Sequence, residues 1–186
     1  IIGFKKCDGS IKIDKNETLK LKENKLNNFS YLGQNSFLFP GTLKENIIFF
    51  EKKIDEKRYD EVVNLCKAKE ILEKFSRTAN LTEDESLKLS EGQKQRICLA
   101  RTLYSDKSII ILDEALSNIE KSLEKVIIND VLNYIKNKNQ TFIIVSHSLK
   151  NYEEVDKILV LDFGKIIQVG THSELKNLEG FYKKNV

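Results

Sequence analysis

Two short apolar runs constrain this chain more than any other feature: Ile109-Ile110-Ile111-Leu112 and Thr141-Phe142-Ile143-Ile144-Val145. Runs this brief and this apolar predict strands buried on both faces, as in a parallel sheet. Between them, Leu123, Ile127, Val131 and Tyr134 recur at three- and four-residue spacing. Glu120 and Glu124 stand early in that stretch, Lys136 and Lys138 late. The pattern predicts an amphipathic helix whose charges follow its dipole. Strand, helix, strand is a βαβ unit, so the strands run parallel and their carboxyl ends share one side of the sheet. The predicted class is α/β, with a mainly parallel sheet.

The remaining elements follow from local signals. Thr42 with Glu45, Ser90 with Gln93, Ser117 with Glu120, and Thr171 with Glu174 have the spacing of capping boxes, each predicting a helix start. The helix after Ser90 should run to about Tyr104. Tyr59, Val62, Val63 and Cys66 predict one amphipathic helix over Asp55 to Lys69, with a short helix from Ile71 to Phe75. Ile11 to Asp14, Phe29 to Gly33, Lys157 to Leu161 and Lys165 to Val169 read as strands, the last two joined at Asp162-Phe163-Gly164. Asp8-Gly9-Ser10 reads as a turn, and Asn80 to Leu89 as a polar loop.

Composition removes several classes. With 186 residues, 40% hydrophobic and 32% charged, the chain is neither disordered nor low in complexity. One domain is the natural prior. No apolar stretch approaches the roughly 20 residues that span a bilayer. A net charge of +3, from 31 basic and 28 acidic residues, is too slight to imply a nucleic-acid partner. Cys7, Cys66 and Cys98 lack metal-ligand spacing and form no disulfide framework, which favours a reducing compartment. No Met occurs, and the chain opens on Ile1-Ile2-Gly3-Phe4; the expectation is a piece of a longer chain.

In open α/β sheets ligands bind beyond the carboxyl ends of the strands. Here those ends carry Asp113-Glu114 and Ser146-His147. Adjacent acids can divide phosphoryl transfer, one near a hydrated Mg²⁺ and the other directing the attacking water. They can equally be a solvated strand end. Ser90-Glu91-Gly92-Gln93 puts a helix N-terminus where phosphate would be welcome, with Gly92 allowing close approach; a plain cap explains it as well. His147 and Gln34, taken singly, read as ordinary strand-end residues. Phe37-Leu38-Phe39 beside Pro40 is either a core plug or a surface on which another protein docks.

The order and spacing of these signals carry more than each alone. Gln34, Phe37 to Thr42, Glu45-Asn46-Ile47, LSEGQKQR from Leu89 to Arg96, IIILDE from Ile109 to Glu114, and Ser146-His147 together resemble the ATP-binding domain of ABC transporters. The exporter type is the best match. The tail from Asp156 to Leu175 fits as well, so the resemblance covers nearly the whole chain. It implies a P-loop NTPase-like fold with a helical subdomain at about 43–104, including the signature helix, and the C-terminal part of the ATPase core at 105–186.

The resemblance also implies roles. Gln34 is the Q-loop glutamine near Mg²⁺, and the Gln34–Thr42 loop meets a transmembrane domain. Ser90, Gly92 and Gln93 form the signature contacting ATP held by a second ATP-binding domain. Asp113 serves Mg²⁺, Glu114 is the general base, His147 contacts the γ-phosphate, and Ser117 lies on the dimer-interface loop. The implied setting is the cytoplasmic face of a membrane, with ATP and Mg²⁺ as cofactors and no nucleic acid. Three positions depart from the family pattern: Glu91 where Gly is usual, Glu120 where Asp is usual, and Ser148 where exporters often have Arg. No Gly-x-x-x-x-Gly-Lys-Ser/Thr occurs, so the phosphate loop is missing from this sequence. The expectation is an N-terminally truncated domain, inactive alone. A non-catalytic half of an asymmetric pair and a DNA-repair ATPase head are the competing readings.

Overall fold

The parallel sheet expected from the two apolar runs is present, with a third strand beside them. The computed structural model describes residues 12–13, 16–17, 28–49, 51–75, 88–149 and 151–186. Ile1 to Phe4, the Asp8-Gly9-Ser10 turn and most of the Asn80–Leu89 loop lie outside the described residues. Lys12–Ile13 (β1) and Asn16–Glu17 (β2) pair antiparallel. Phe29–Leu32 (β3), Ile109–Asp113 (β4) and Thr141–Val145 (β5) form a parallel sheet in the order β3-β4-β5. Leu32 pairs with Leu112, and Asp113 with Val145, so all three strands end on one side.

Among the described residues, four helices cover the middle of the chain: α1 (Leu43–Ile48), α2 (Glu56–Leu65), α3 (Lys69–Phe75) and α4 (Glu91–Tyr104). The boxes at Thr42 and Ser90 form as expected, each with its reciprocal pair of hydrogen bonds. α1 and α2 pack on α4, which packs on β3. The helix α5 (Lys121–Lys138) connects β4 to β5. Ile47, Ile97, Leu99, Ile110, Ile127, Ile128 and Val131 are fully buried in one continuous core. Each contributes about 1.5–3 kcal/mol by leaving water. Ile158–Asp162 (β6) and Lys165–Gly170 (β7) form an antiparallel hairpin, followed by α6 (His172–Asn177) and α7 (Phe181–Asn185). Val160, Leu175 and Tyr182 give that end its own small core.

Two expectations need correction. The single helix over Asp55–Lys69 ends at Leu65. Lys67 turns left-handed with φ 51°, while the Ala68 N–H bonds the Val63 carbonyl and the Lys67 N–H that of Asn64. That is a Schellman stop. Cys66 and Ala68 are still buried beyond it, so the apolar spacing runs straight through the break. The capping box at Ser117 does not form either. α5 starts at Lys121 with Glu120 as N-cap and no side-chain cap bond. Residues 114–119 instead make turns, with the Ser117 N–H on the Glu114 carbonyl and that of Ile119 on Leu116. A tertiary contact described below holds this loop and overrides the local motif.

Candidate functional site

β4 and β5 place their ends side by side, and the backbone joins them. The Glu114 N–H donates to the Val145 carbonyl at 2.9 Å. Glu114 takes φ 53°, a left-handed conformation uncommon for a residue with a Cβ. Strain of this kind concentrates at functional sites. The turn brings the Glu114 Oε1 to 2.8 Å from the His147 Nε2. The carboxylate side chain is 28% exposed and the imidazole 88%, so the pair faces solvent. A cleft of about 100 Å³ lies beside it, bordered by Ser117, Lys121, Ser146 and Tyr152.

Asp113 faces β3. Its Oδ2 accepts the Tyr31 hydroxyl at 3.2 Å. Partial burial, then the hydrogen bond and charge of Asp113, push the Tyr31 phenol above its ordinary value. Gln34 follows the end of β3 and is exposed on the same side of the sheet. Among the described residues no trio of His, Cys, Asp or Glu could enclose a metal. Mg²⁺ takes one or two carboxylates and fills its shell with water and substrate phosphates. Asp113 is the residue here that could offer it one hard oxygen donor.

The helix tip at Ser90 is closed by the capping box expected from the sequence. Gln93 spends its side chain on its own cap: Oε1 accepts the Ser90 N–H at 2.9 Å, while the Ser90 Oγ accepts the Gln93 N–H at 3.2 Å. Glu91 pairs with Lys94 Nζ at 2.7 Å. A Cβ on Gly92 would come within 2.6 Å of the Asn118 carbonyl oxygen. Gly92 is therefore required by the loop beside it, whatever it does toward an anion. Gln95, one turn on, is fully buried, and its Oε1 accepts the Asn118 N–H at 3.0 Å. This contact fixes the 115–120 loop and leaves Ser117 exposed next to α4.

The Phe37-Leu38-Phe39 segment divides between its two readings. Leu38 is buried, whereas Phe37 is 63% exposed and stacks edge-on with Phe39, which meets Phe49 in turn. Arg101 on α4 ties the segment down. Its Nη1 reaches the Phe37 carbonyl at 2.8 Å and its Nε the Asn46 carbonyl at 2.7 Å. Its guanidinium also lies over the Phe39 ring. Asn46, fully buried, accepts the Phe39 N–H and donates to the Phe39 and Thr42 carbonyls.

The structure thus unites Glu114 with His147, pairs Asp113 with Val145 at the same strand ends but turns its carboxylate to Tyr31, and joins Gly92 to the Ser117 loop. Sequence reading missed Tyr31, Gln95, Asn46, Arg101, Glu124 and Tyr152. Two left a visible signal. Gln95 lies on the face of Cys98 and Leu99, and Glu124 on that of Ile127, Ile128 and Val131, so each is a polar residue on an apolar stripe.

The family model described as ABC transporter matches residues 1–117, more than half of the chain. This chain belongs to the ABC transporter family. The mesentericin-Y105 transport/processing ATP-binding protein MesD of Leuconostoc mesenteroides is 35% identical to it over 181 residues, 96% of this chain and 25% of the relative. The lactococcin-G-processing and transport ATP-binding protein LagD of Lactococcus lactis subsp. lactis is 36% identical over 163 residues, covering 85% and 22%. A bacterial Atm1-family ABC exporter solved with ATP bound superposes with a TM-score of 0.82 at 26% identity, covering 95% of this chain and 31% of that one. The chain spans about a quarter of the length of the curated relatives it matches. Its fold is that of an ABC ATPase domain, the P-loop NTPase class expected from the motifs.

Proposed function

We propose that this chain belongs to an ABC exporter in which ATP hydrolysis drives transport, and that Glu114, His147 and Asp113 act on the nucleotide. The observation that carries the reading is the 2.8 Å contact between Glu114 and His147 at the carboxyl ends of two parallel strands. Mg²⁺, when bound, draws negative charge from the phosphate oxygens and so favours attack on phosphorus. Asp113 contributes one oxygen to holding it. Glu114 sits at the rim with its carboxylate reachable by water, where it orients a water molecule and takes its proton. The single N–H of His147 Nε2 restrains the Glu114 carboxylate as seen here, and the same N–H turns to the outermost phosphate when nucleotide is bound. Ser90 and Gly92, on the far side of the 115–120 loop, serve the nucleotide of a second ATP-binding domain. Ser117 lies between the two.

The relatives named above are transport and processing proteins, which supports an export role and a site on the cytoplasmic face of a membrane. No helix among the described residues is long and apolar enough to cross one. The exposed ring of Phe37, beside Phe39 and Phe49, supports a contact between the Gln34–Thr42 loop and a membrane-embedded domain. His147→Ala in the full-length protein tests the reading. Steady-state hydrolysis should fall by about a hundredfold or more while nucleotide binding persists. Hydrolysis at the unaltered rate would refute it.

A further inference from the structure

His147 is 88% exposed, so packing of its ring does not set its place against Glu114; its backbone must. Hydroxyls flank that backbone. The Ser148 N–H donates to the Ser146 Oγ at 3.0 Å. Ser146 and Tyr152 line the same cleft wall beside it. The Tyr152 hydroxyl donates to the Glu124 Oε1 at 3.0 Å. Glu124 is 2% exposed, and its other oxygen accepts Lys121 Nζ at 2.8 Å. Asn151, in a left-handed turn, adds a bond to the Lys121 carbonyl at 3.5 Å. A buried carboxylate is tolerated only when its partners are in place, so this network is either complete or costly. It starts at the first turn of α5, directly after the 115–120 loop, and ends beside the residues flanking His147.

We propose that Tyr152 and Glu124 are positioning residues for the hydrolytic site: they hold the Ser146–Ser148 backbone so that His147 stays on Glu114, and they link His147 to the loop carrying Ser117. This rests on the functional reading above and deepens it. Displacement of the loop at a dimer interface would pass through Lys121 and Glu124 to the imidazole.

The test is the Tyr152→Phe variant in the full-length protein, with His147→Ala in parallel. Losing only the phenolic oxygen should lower kcat for MgATP roughly tenfold to a hundredfold, the usual effect of deleting a supporting hydrogen bond, with KM little changed. Glu124→Gln, whose amide oxygen still accepts the phenol, should lose less than Tyr152→Phe, and Glu124→Val at least as much. Tyr152→Phe at the parent rate beside an inactive His147→Ala overturns this inference alone. So does a loss confined to KM, or equal losses in Glu124→Gln and Glu124→Val, which mark a merely structural role. His147→Ala at the parent rate overturns the functional reading and this inference with it.

Discussion

Gly92 meets a packing demand that its place in the sequence does not reveal. Its sequence position beside Ser90 points to a phosphate, yet its lack of a Cβ is already required by the Asn118 carbonyl. Gly92→Ala should therefore destabilise the isolated chain by about 1–3 kcal/mol, as overpacked sites do, in the absence of any nucleotide. Chemical denaturation reads this directly; an unchanged midpoint would mean that the loop yields freely. At this scale the sequence was partly legible. Asp113, Glu114 and His147 stand out in the sequence because they follow apolar strands, whose carboxyl ends are where ligands bind in such sheets. Glu124 reads from the sequence only as an early helix acid that suits the dipole, because charge order on a helix carries no information about what packs over it. Its partner Tyr152 is 28 residues away, and burial, ahead of its neighbours, pushes that phenol up to about 12.

Among the elements, three capping boxes formed and one did not, and the difference is tertiary. Thr42, Ser90 and Thr171 have free choice of local partners, whereas Asn118, inside the fourth box, gives its N–H to Gln95. Hydrogen bonds from Thr42 and Thr171 hold the Glu45 and Glu174 carboxyls below their ordinary value. The sign follows from linkage. A carboxylate depressed on folding contributes stability that is present above the unfolded value near 4.5 and lost as pH falls through the lowered folded one. Thermal melts from about pH 6 to about pH 3 should show part of the acid loss disappearing in Thr42→Ala with Thr171→Ala. Thr42→Ala alone should cost about 1 kcal/mol at neutral pH. Identical acid slopes with and without the two threonines would contradict the assignment. The break after Leu65 was illegible for a simpler reason: an apolar period reports burial, and burial continues past the Schellman turn.

Across the whole molecule, the strand ends of β3, β4 and β5 gather Gln34, Asp113, Glu114 and His147 on one rim, and α4 carries Gly92 to the adjoining loop. The parallel βαβ unit was legible because two buried strands and an intervening helix leave few alternatives. The joining of α4 to the 115–120 loop was not, since it depends on one buried glutamine and one glycine. The sequence holds no phosphate-cradling loop, so the chain by itself should bind MgATP only in the range of about 1 mM or weaker. Calorimetry giving micromolar affinity would show that the rim suffices without such a loop. The proposed role of Glu114 is to take the proton of the attacking water. Steady-state ATP hydrolysis by the full-length protein carrying Glu114→Gln should then fall roughly a hundredfold to ten-thousandfold with ATP still bound; turnover equal to that of the parent would remove Glu114 as the base.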